Sequence, residues 1–558
     1  MEALDWLVIG VFFLALIGII VWVVRQKQND SADYFLGGRD ATWLAIGASI
    51  FASNIGSEHL IGLAGAGASS GMAMAHWEIQ GWMILILGWV FVPFYTRSMV
   101  YTMPEFLERR YNPQSRTILS VISLVSYVLT KVAVTVYAGG LVFQQVFGIK
   151  ELWGIDFFWI AAIGLVVLTA LYTIFGGMKS VLYTSVLQTP ILLLGSLIIL
   201  VLGFKELGGW DEMMRVCGAV TVNDYGDTMT NLIRSNDDAN FPWLGALIGS
   251  AIIGFWYWCT DQFIVQRVLS GKNEMEARRG TIFGAYLKLL PVFLFLIPGM
   301  IAFALHQKYI GAGGEGFLPM LENGTANADA AFPTLVAKLL PAGVKGLVVC
   351  GILAALMSSL ASLFNSSAML FTIDFYKRFR PQTSEKKLVG IGQVATVVIV
   401  ILGILWIPIM RSVGDVLYTY LQDVQSVLAP GIAAAFLLGI CWKRTSAQGG
   451  MWGLISGMVI GLTRLGAKVY YSNAGEVADS TFKYLFYDMN WLFFCGWMFL
   501  FCIIVVIVVS LATEAPTAEK IQGLVFGTAT KEQKASTRAS WNHWDITVSY
   551  THLTLPTT

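Results

Sequence analysis

Charged residues are scarce in this chain of 558 residues. Lys, Arg, Asp and Glu together make up 13% of it and hydrophobic residues 56%, whereas charged residues make up about 25% of a typical soluble domain. This composition excludes a soluble globular protein and indicates a helical membrane protein with many spans. The formal net charge is +1, so no excess of positive charge points to a nucleic-acid partner.

Motifs of enzymatic chemistry are also missing. The sequence contains no Gly-rich phosphate loop, no HExxH pair and no nucleophile elbow, so no motif predicts an enzyme. Of the six cysteines, five lie in apolar segments and only Cys217 lies in a long polar loop. We therefore expect no structural disulfide.

Long apolar windows are what the sequence has instead. Thirteen windows of about 20 apolar residues, the length that crosses a bilayer, occur near 6–24, 43–71, 75–96, 117–147, 156–175, 181–203, 242–265, 281–305, 343–375, 388–410, 413–441, 448–468 and 490–512. If the first is set aside, the next ten divide into two sets of five. An odd number of spans per set gives the two sets opposite topology, as in an inverted repeat.

The predicted organisation follows from these windows. It consists of an N-terminal extra helix and loop (1–42), a first repeat (43–204), an extracellular loop (205–241), a second repeat (242–441), two further helices (442–513) and a cytoplasmic tail (514–558). The last eleven residues fit no helix or sorting pattern and look like translated sequencing-adapter sequence, so we leave them out of the fold prediction.

Basic residues predict the orientation. They fall on alternate loops of one side, at Arg25, Lys27, Arg39, Arg97, Arg109, Arg110, Arg116, Lys179, Arg267, Lys272, Arg278, Arg279, Lys377, Arg378, Arg380, Lys386, Lys387, Lys443 and Arg444. The positive-inside rule makes that side cytoplasmic. The N-terminus is therefore predicted to lie outside the cell.

One apolar window, 43–71, is polar in its middle, where Asn54, Glu58 and His59 lie. Such groups are costly in lipid, so a span carries them only where they meet protein, water or a ligand. Gly56 weakens the helix at the same point and lets carbonyl groups leave the helical ladder to hold a cation. We predict a broken helix that lines a cavity; the alternative is a kinked helix with a polar seam between neighbours.

A second polar stripe lies in window 343–375. Ser358, Ser362 and Ser366 follow one another at four-residue spacing, with Ser359 beside them. Hydroxyls and freed carbonyls suit Na⁺ because they coordinate it without a strong carboxylate trap. The alternative is that the hydroxyls bond carbonyls of their own helix at a tight helix contact.

Two ionisable residues, Glu78 and Lys288, lie within apolar windows. A carboxylate acceptor with an ammonium donor is what a neutral ligand with many hydroxyls needs. The alternatives are that the two pair with each other or that Lys288 extends to the membrane interface. Gln422 and Gln425, three residues apart on one helical face, add amides that donate and accept.

Four segments together closely resemble the sodium:solute symporter family, specifically its sodium/glucose and sodium/myo-inositol branch. They are Phe51–His59, Trp256–Arg267, Tyr286–Leu289 and Phe364–Ser366. The resemblance extends from about Tyr34 to Leu511. It implies an all-α membrane protein with a LeuT-like five-plus-five inverted repeat, extra flanking helices and transport by alternating access.

The resemblance also implies which residues bind substrate and ion. The substrate pocket would consist of Asn54, His59, Leu63, Trp77, Glu78, Trp258, Lys288, Gln422 and Gln425, with Tyr257 and Tyr418 as aromatic gates. The Na⁺ site would use carbonyls of Ala52, Ile55 and Ala355 and hydroxyls of Ser358 and Ser359. Na⁺ would be the coupling ion.

Some departures from the family pattern bear on stoichiometry and substrate. Relatives that couple two sodium ions have a hydroxyl where this chain has Ala361 and an aspartate where it has Ser185, so we expect one Na⁺ per sugar. Gly254 and Gln425 stand where sugar-transporting relatives often have other polar residues. Glu58 beside His59 and Trp77 before Glu78 look like the myo-inositol branch.

The resulting expectation is electrogenic symport of Na⁺ with a monosaccharide of the glucose or galactose type at the plasma membrane. The partners are then a small sugar or cyclitol and the lipid bilayer, with no nucleic acid. The alternatives are a sodium/myo-inositol symporter, a non-transporting sugar-gated sensor or channel, and coupling to H⁺ through Glu78 or His59.

Overall fold

The protein is described here from a computed structural model. The residues described are 1–26, 30–56, 58–321, 324–413, 417–473 and 478–554, without the side chains of 129–130, 409–413, 417–423 and 473. Helices dominate them.

The described part of the chain contains 27 α-helices. The first part of the chain holds α1 (Ala3–Arg25), α2 (Ser31–Leu36), α3 (Trp43–Asn54), α4 (Ala64–Ser70), α5 (His76–Ile79), α6 (Gly81–Ile86), α7 (Val92–Ser98), α8 (Met103–Arg110), α9 (Pro113–Ser126), α10 (Ala133–Phe147), α11 (Phe157–Leu207) and α12 (Trp210–Gly218). The second part holds α13 (Trp243–Phe255), α14 (Gln262–Leu269), α15 (Glu274–Leu287), α16 (Ile297–Gly311), α17 (Ala331–Leu339), α18 (Val344–Met369), α19 (Lys377–Phe379), α20 (Glu385–Val413), α21 (Leu417–Cys441), α22 (Ala447–Asn473), α23 (Thr481–Lys483), α24 (Trp491–Ala512), α25 (Ala518–Ile521), α26 (Lys531–Ala539) and α27 (His543–Thr554).

Shorter elements connect these helices. π-helical turns cover Glu58–Leu63, Leu87–Phe91, Tyr127–Val132, Trp256–Thr260, Val292–Leu296, Leu370–Tyr376 and Tyr484–Asp488, and 3₁₀ turns cover Gly37–Arg39, Gly71–Ala75 and Ala328–Ala330. A short antiparallel pair of strands, β1 (Glu151–Leu152) and β2 (Ile155–Asp156), precedes α11.

Helix occupies most of each of the thirteen predicted windows wherever the structure describes them. Nine helical runs in the described part are long and apolar enough to cross a membrane, and some of them contain two predicted windows. In α11 the two windows meet at Gly177, whose φ of +53° interrupts the helix with a kink. A Cβ there would lie 2.4 Å from the carbonyl oxygen of Tyr34, so only glycine fits the turn.

The centre of the bundle is α18. In the run from Val344 to Phe379, 89% of the most apolar window is buried, against 22% for α1, which is therefore peripheral. α11 packs along α18, and α3 packs along α15. α4 crosses α16 so closely that a Cβ at Gly299 would lie 1.9 Å from the carbonyl oxygen of Ala64. Small residues allow this approach, which fixes the helical segment after the polar stretch of window 43–71.

The tail departs from the sequence-based expectation. Residues 548–554, predicted to fit no helix, belong to α27. Trp89 Nε1 donates to Ser549 Oγ at 2.9 Å, and the Tyr286 hydroxyl donates to the carbonyl of Val548 at 2.7 Å. These contacts with earlier helices stabilise a helix that the local sequence pattern alone does not predict.

Candidate functional site

The first feature of the site is a break in the helix that begins as α3. The helix ends at Asn54, Ile55 is extended with φ −77° and ψ 105°, and a π-helical turn begins at Glu58. Among the described residues, the amide of Gly56 does not bond the carbonyl of Ala52. The break predicted from the polar residues is therefore present, and it leaves backbone oxygen for a cation.

α18 lies directly against this break. Ser359 Oγ is 3.2 Å from the position that a Cβ would take at Gly56. Ser53 Oγ and Ser362 Oγ lie 2.7 Å apart. These serine hydroxyls thus face the broken helix, which differs from the alternative in which they bond carbonyls of their own helix.

We call the five residues predicted to bind Na⁺ the cation seat. They are Ala52, Ile55, Ala355, Ser358 and Ser359, each at most 3% exposed. Ala355 lies one turn before the two serines and on their face of α18. Ser358 Oγ also lies 3.2 Å from Ser185 Oγ on α11. Hydroxyls of α18, one of them in contact with α11, therefore lie next to the break together with the Glu58 carboxylate, and such oxygen atoms can hold a monovalent cation.

The second feature is a cavity whose lining includes Asn54 and Glu58 on either side of the first break. It is lined by Asn54, Glu58, His59, Leu63, Trp77, Glu78, Gln80, Ile253, Gly254, Tyr257, Trp258, Lys288 and Gln425. Nine of the eleven predicted substrate-binding residues are in this set. The other two, Tyr418 and Gln422, have side chains that lie outside the described part of the structure.

A polar network runs through the cavity wall. Lys288 Nζ donates to Glu78 Oε2 at 2.7 Å and to Asn54 Oδ1 at 3.0 Å. His59 Nε2 lies 3.4 Å from both Lys288 Nζ and Glu78 Oε1, and Asn54 Nδ2 donates to the Tyr257 hydroxyl at 3.1 Å. Glu78 and Lys288 therefore do pair with each other, and their pair forms part of the cavity wall.

Aromatic rings supply the apolar part of the wall. Trp77 stacks on Trp491 with ring centroids 5.7 Å apart. Tyr257 and Trp258 meet edge to face at 4.9 Å, and the Lys288 ammonium lies 5.4 Å from the centroid of the Trp258 ring. Amphipathic rings beside polar groups suit a ligand with both an apolar face and hydroxyls.

Three nitrogen atoms of the lining residues have no hydrogen-bond partner within the described residues. They are Trp77 Nε1, Gln80 Nε2 and His59 Nδ1. A buried polar group without a partner costs about 1–3 kcal/mol. Because the residues that carry these nitrogen atoms line the cavity, a ligand or water in the cavity could satisfy them.

Four lining residues were not among the predicted pocket residues: Glu58, Gln80, Ile253 and Gly254. Gln80 follows Glu78 by two positions, and on a regular helix such residues face different directions. The chain turns at Gln80, between α5 and α6, which brings both side chains to the cavity. A polar residue in an apolar window was the signal available for Gln80.

A second break interrupts the helix that begins as α13. After a π-helical turn, Asp261 is extended with φ −75° and ψ 127°. Lys131 Nζ lies 2.6 Å from Asp261 Oδ2, and the Tyr127 hydroxyl donates to Asp261 Oδ1. Lys131 Nζ also lies 4.7 Å from the ring centroid of Tyr257. This break therefore contains a charged pair beside a residue of the cavity.

Arg267 was predicted to lie in a basic loop, and the structure corrects that prediction. It is fully buried in α14, with its guanidinium 5.0 Å from the centroid of the Phe263 ring. The reason is that α14 continues to Leu269 and packs against α3, α15 and α18. The connecting loop begins only after this helix ends.

The family model for the Sodium:solute symporter family matches residues 34–457. The chain belongs to this family. Over 542 residues it is 36% identical to Sodium/myo-inositol cotransporter 2 of Homo sapiens, which covers 95% of this chain and 79% of that relative. Over 537 residues it is 36% identical to Sodium/glucose cotransporter 4 of Danio rerio, with 93% and 80% covered. These relatives are cotransporters and not enzymes.

The fold of this symporter is similar to that of a Na⁺-coupled sialic acid symporter solved in a substrate-bound outward-open state. The TM-score is 0.73 at 21% sequence identity, with 92% of this chain and 99% of the other covered. The predicted family and the predicted fold class, an all-α membrane protein with a LeuT-like inverted repeat and flanking helices, are confirmed.

Proposed function

We propose that this symporter carries a monosaccharide of the glucose or galactose type across the plasma membrane together with Na⁺, by alternating access, with one Na⁺ per sugar and its N-terminus outside. The observation that carries the proposal is the position of Asn54. It is the last residue of α3 before the break, and its side chain bonds Lys288 and Tyr257 in the cavity wall. A cation at the break and a ligand in the cavity would therefore act on the same residue.

The chemistry of the cavity favours a neutral ligand rich in hydroxyl groups. Glu78 and Lys288 balance each other's charge at 2.7 Å, so the pair leaves no net charge to attract an ion. Their spare hydrogen-bonding capacity and the nitrogen atoms without partners can donate to and accept from hydroxyls. The faces of Trp77 and Trp258 can cover the apolar face of a sugar ring.

The cation seat favours Na⁺ as the coupling ion. It combines hydroxyls of Ser358 and Ser359 with carbonyls of the break, and the Glu58 carboxylate near Gly56 adds one negative charge, a set of ligands that suits a single weakly charged hard cation. Ala361 and Ser185 stand where relatives that couple two sodium ions have a hydroxyl and an aspartate. These two positions support one Na⁺ per sugar.

Na⁺ binding and sugar binding are coupled through the break. Na⁺ bound at the seat favours the arrangement of the break in which Asn54 faces the cavity, and by linkage the sugar then raises the affinity for Na⁺ by the same factor. Each positive charge that enters with the sugar gains about 2.3 kcal/mol per 100 mV of membrane potential. Transport is therefore electrogenic.

A sodium/myo-inositol symporter is the second candidate. The relative named Sodium/myo-inositol cotransporter 2 is as similar to this chain as the one named Sodium/glucose cotransporter 4, each at 36% identity. Myo-inositol carries hydroxyls around a six-membered ring as glucose does, so the same cavity chemistry fits both ligands.

Uptake of labelled glucose into proteoliposomes tests the proposal. We expect uptake that needs an inward Na⁺ gradient, rises when the interior is made negative, and moves one charge per sugar. Competition by galactose and by myo-inositol then ranks the substrates. Sugar binding without uptake would identify a sensor, uptake driven by H⁺ in the absence of Na⁺ would move the coupling to Glu78 or His59, and two charges per sugar would overturn the stoichiometry.

A further inference from the structure

Gln80 is a buried amide in the cavity wall that none of the contacts described so far explains. Gln80 is 4% exposed and lines the cavity. Its Nε2 atom has no hydrogen-bond partner among the residues described. By contrast, the Glu78 carboxylate and the Lys288 ammonium are already bonded to each other. A ligand in the cavity is therefore a partner that the Gln80 amide could take.

Gly254 fixes where this amide lies. Gln80 Oε1 is 2.3 Å from the position that a Cβ would take at Gly254, and Gln80 Cδ is 3.1 Å from it. The amide thus occupies the space that any side chain at 254 would fill. The two residues come from α13 and from the turn between α5 and α6, so the amide is positioned by a contact between two helical segments.

We propose that Gln80, held against Gly254, is a specificity-determining residue whose amide Nε2 donates a hydrogen bond to one particular hydroxyl of the transported polyol. The inference rests on the proposed function. A site built to bond a hydroxyl rejects an analogue that lacks it, because the buried amide is then left without a partner. Gln80 therefore selects among sugars and cyclitols by the position of one hydroxyl.

The experiment measures binding directly, with the purified full chain in lipid nanodiscs and saturating Na⁺. Isothermal titration compares glucose and myo-inositol with their single-deoxy analogues, each lacking one hydroxyl. In the parent protein we expect one position at which the deoxy analogue binds about tenfold more weakly, the factor that corresponds to about 1.4 kcal/mol. In Gln80→Leu, the natural ligand weakens to the level of that analogue, and the analogue itself is unchanged.

Gly254→Ala is the second variant. The added Cβ meets the end of a flexible side chain, so the amide moves and the helices stay in place. We expect the same loss of discrimination at the same hydroxyl, with thermal stability close to that of the parent. This variant tests the proposal even if Gln80→Leu fails to fold.

Gln188→Leu is the matched control. Gln188 on α11 is also a buried amide without a hydrogen-bond partner in the described residues, and it does not line the cavity. The ratio between natural ligand and deoxy analogue should stay at the parental value in this variant. Equal weakening of every ligand in Gln80→Leu would overturn the inference. Failure of the parent to bind any polyol would instead overturn the proposed function, before any variant is compared.

Discussion

The two broken helices of this symporter differ in charge. At the first break, the Glu58 carboxylate and the Ser359 hydroxyl of α18 lie 3.1 Å and 3.2 Å from the position that a Cβ would take at Gly56. At the second break, Asp261 is paired with Lys131 at 2.6 Å and bonded by the Tyr127 hydroxyl. The first break therefore offers hydroxyl and carboxylate oxygen atoms to a cation from outside, whereas the carboxylate of the second break already holds a cation that is part of the chain.

This difference assigns different roles to the two breaks. The Lys131 ammonium cannot leave, so it stabilises the second break permanently, and Asp261 also accepts from the amide of Phe263 at the start of α14. A cation bound by the oxygen atoms of the first break is not tied to the chain, so it can enter and leave. The comparison supports a single exchangeable cation, in agreement with the proposed ratio of one Na⁺ per sugar.

The largest effect is expected at the second break. Lys131→Met leaves Asp261 as an unpaired buried charge, which costs about 3–5 kcal/mol when one partner of a buried pair is removed. We expect a large drop in the thermal unfolding temperature of the purified protein, whether or not Na⁺ is present. The double variant Lys131→Met with Asp261→Asn should regain much of the loss. A single variant as stable as the parent would contradict the view that this pair holds the break together.

At the first break the effect should be smaller and specific to Na⁺. Ser359→Ala removes one hydroxyl of the cation seat, and we expect the Na⁺ concentration for half-maximal uptake to rise about tenfold, equivalent to about 1.4 kcal/mol. The order of preference among sugars should not change.

Glu78→Gln should have the opposite effect. It should weaken sugar affinity more than Na⁺ activation, because it breaks the hydrogen-bond network of the cavity and leaves the cation seat intact.

Ser366→Ala is the control for the seat. Ser366 lies on the same helix, and its hydroxyl donates to Gln266 Oε1 at 2.7 Å, two turns from Ser358. Its Na⁺ activation should match that of the parent. Unchanged Na⁺ activation in Ser359→Ala would count against the seat as placed here.

Much of this architecture could be predicted from the sequence, because apolar windows and polar interruptions are local signals. The thirteen windows and the break near Gly56 depend on residues that are neighbours in the chain. The kink at Gly177, which packs against Tyr34, and the burial of Arg267 depend on where distant helices pack, which periodicity does not show.

The second break was missed for a different reason. Lys131 is an ionisable residue in an apolar window, the same signal that singled out Glu78 and Lys288. Its partner Asp261 lies 130 residues further along the chain, so only the fold brings them together. Gln80 was missed because, on a regular helix, a residue two positions after Glu78 would point away from it. The turn at Gln80, which brings both side chains to the cavity, cannot be read from that spacing.

The smallest effect is expected at Ser185, which lies beside the cation seat. Ser185 Oγ lies 3.2 Å from Ser358 Oγ, so Ser185 orients a ligand of the cation without being one of the five predicted ligands. A hydrogen bond contributes about 0.5–1.5 kcal/mol, and one that only orients a ligand should lie at the lower end of that range. A loss of about 0.7 kcal/mol in Ser185→Ala raises the Na⁺ concentration for half-maximal uptake about threefold, less than in Ser359→Ala. The steepness of Na⁺ activation should stay that of a single ion. A shift as large as that of Ser359→Ala would place Ser185 among the ligands and move the seat toward α11.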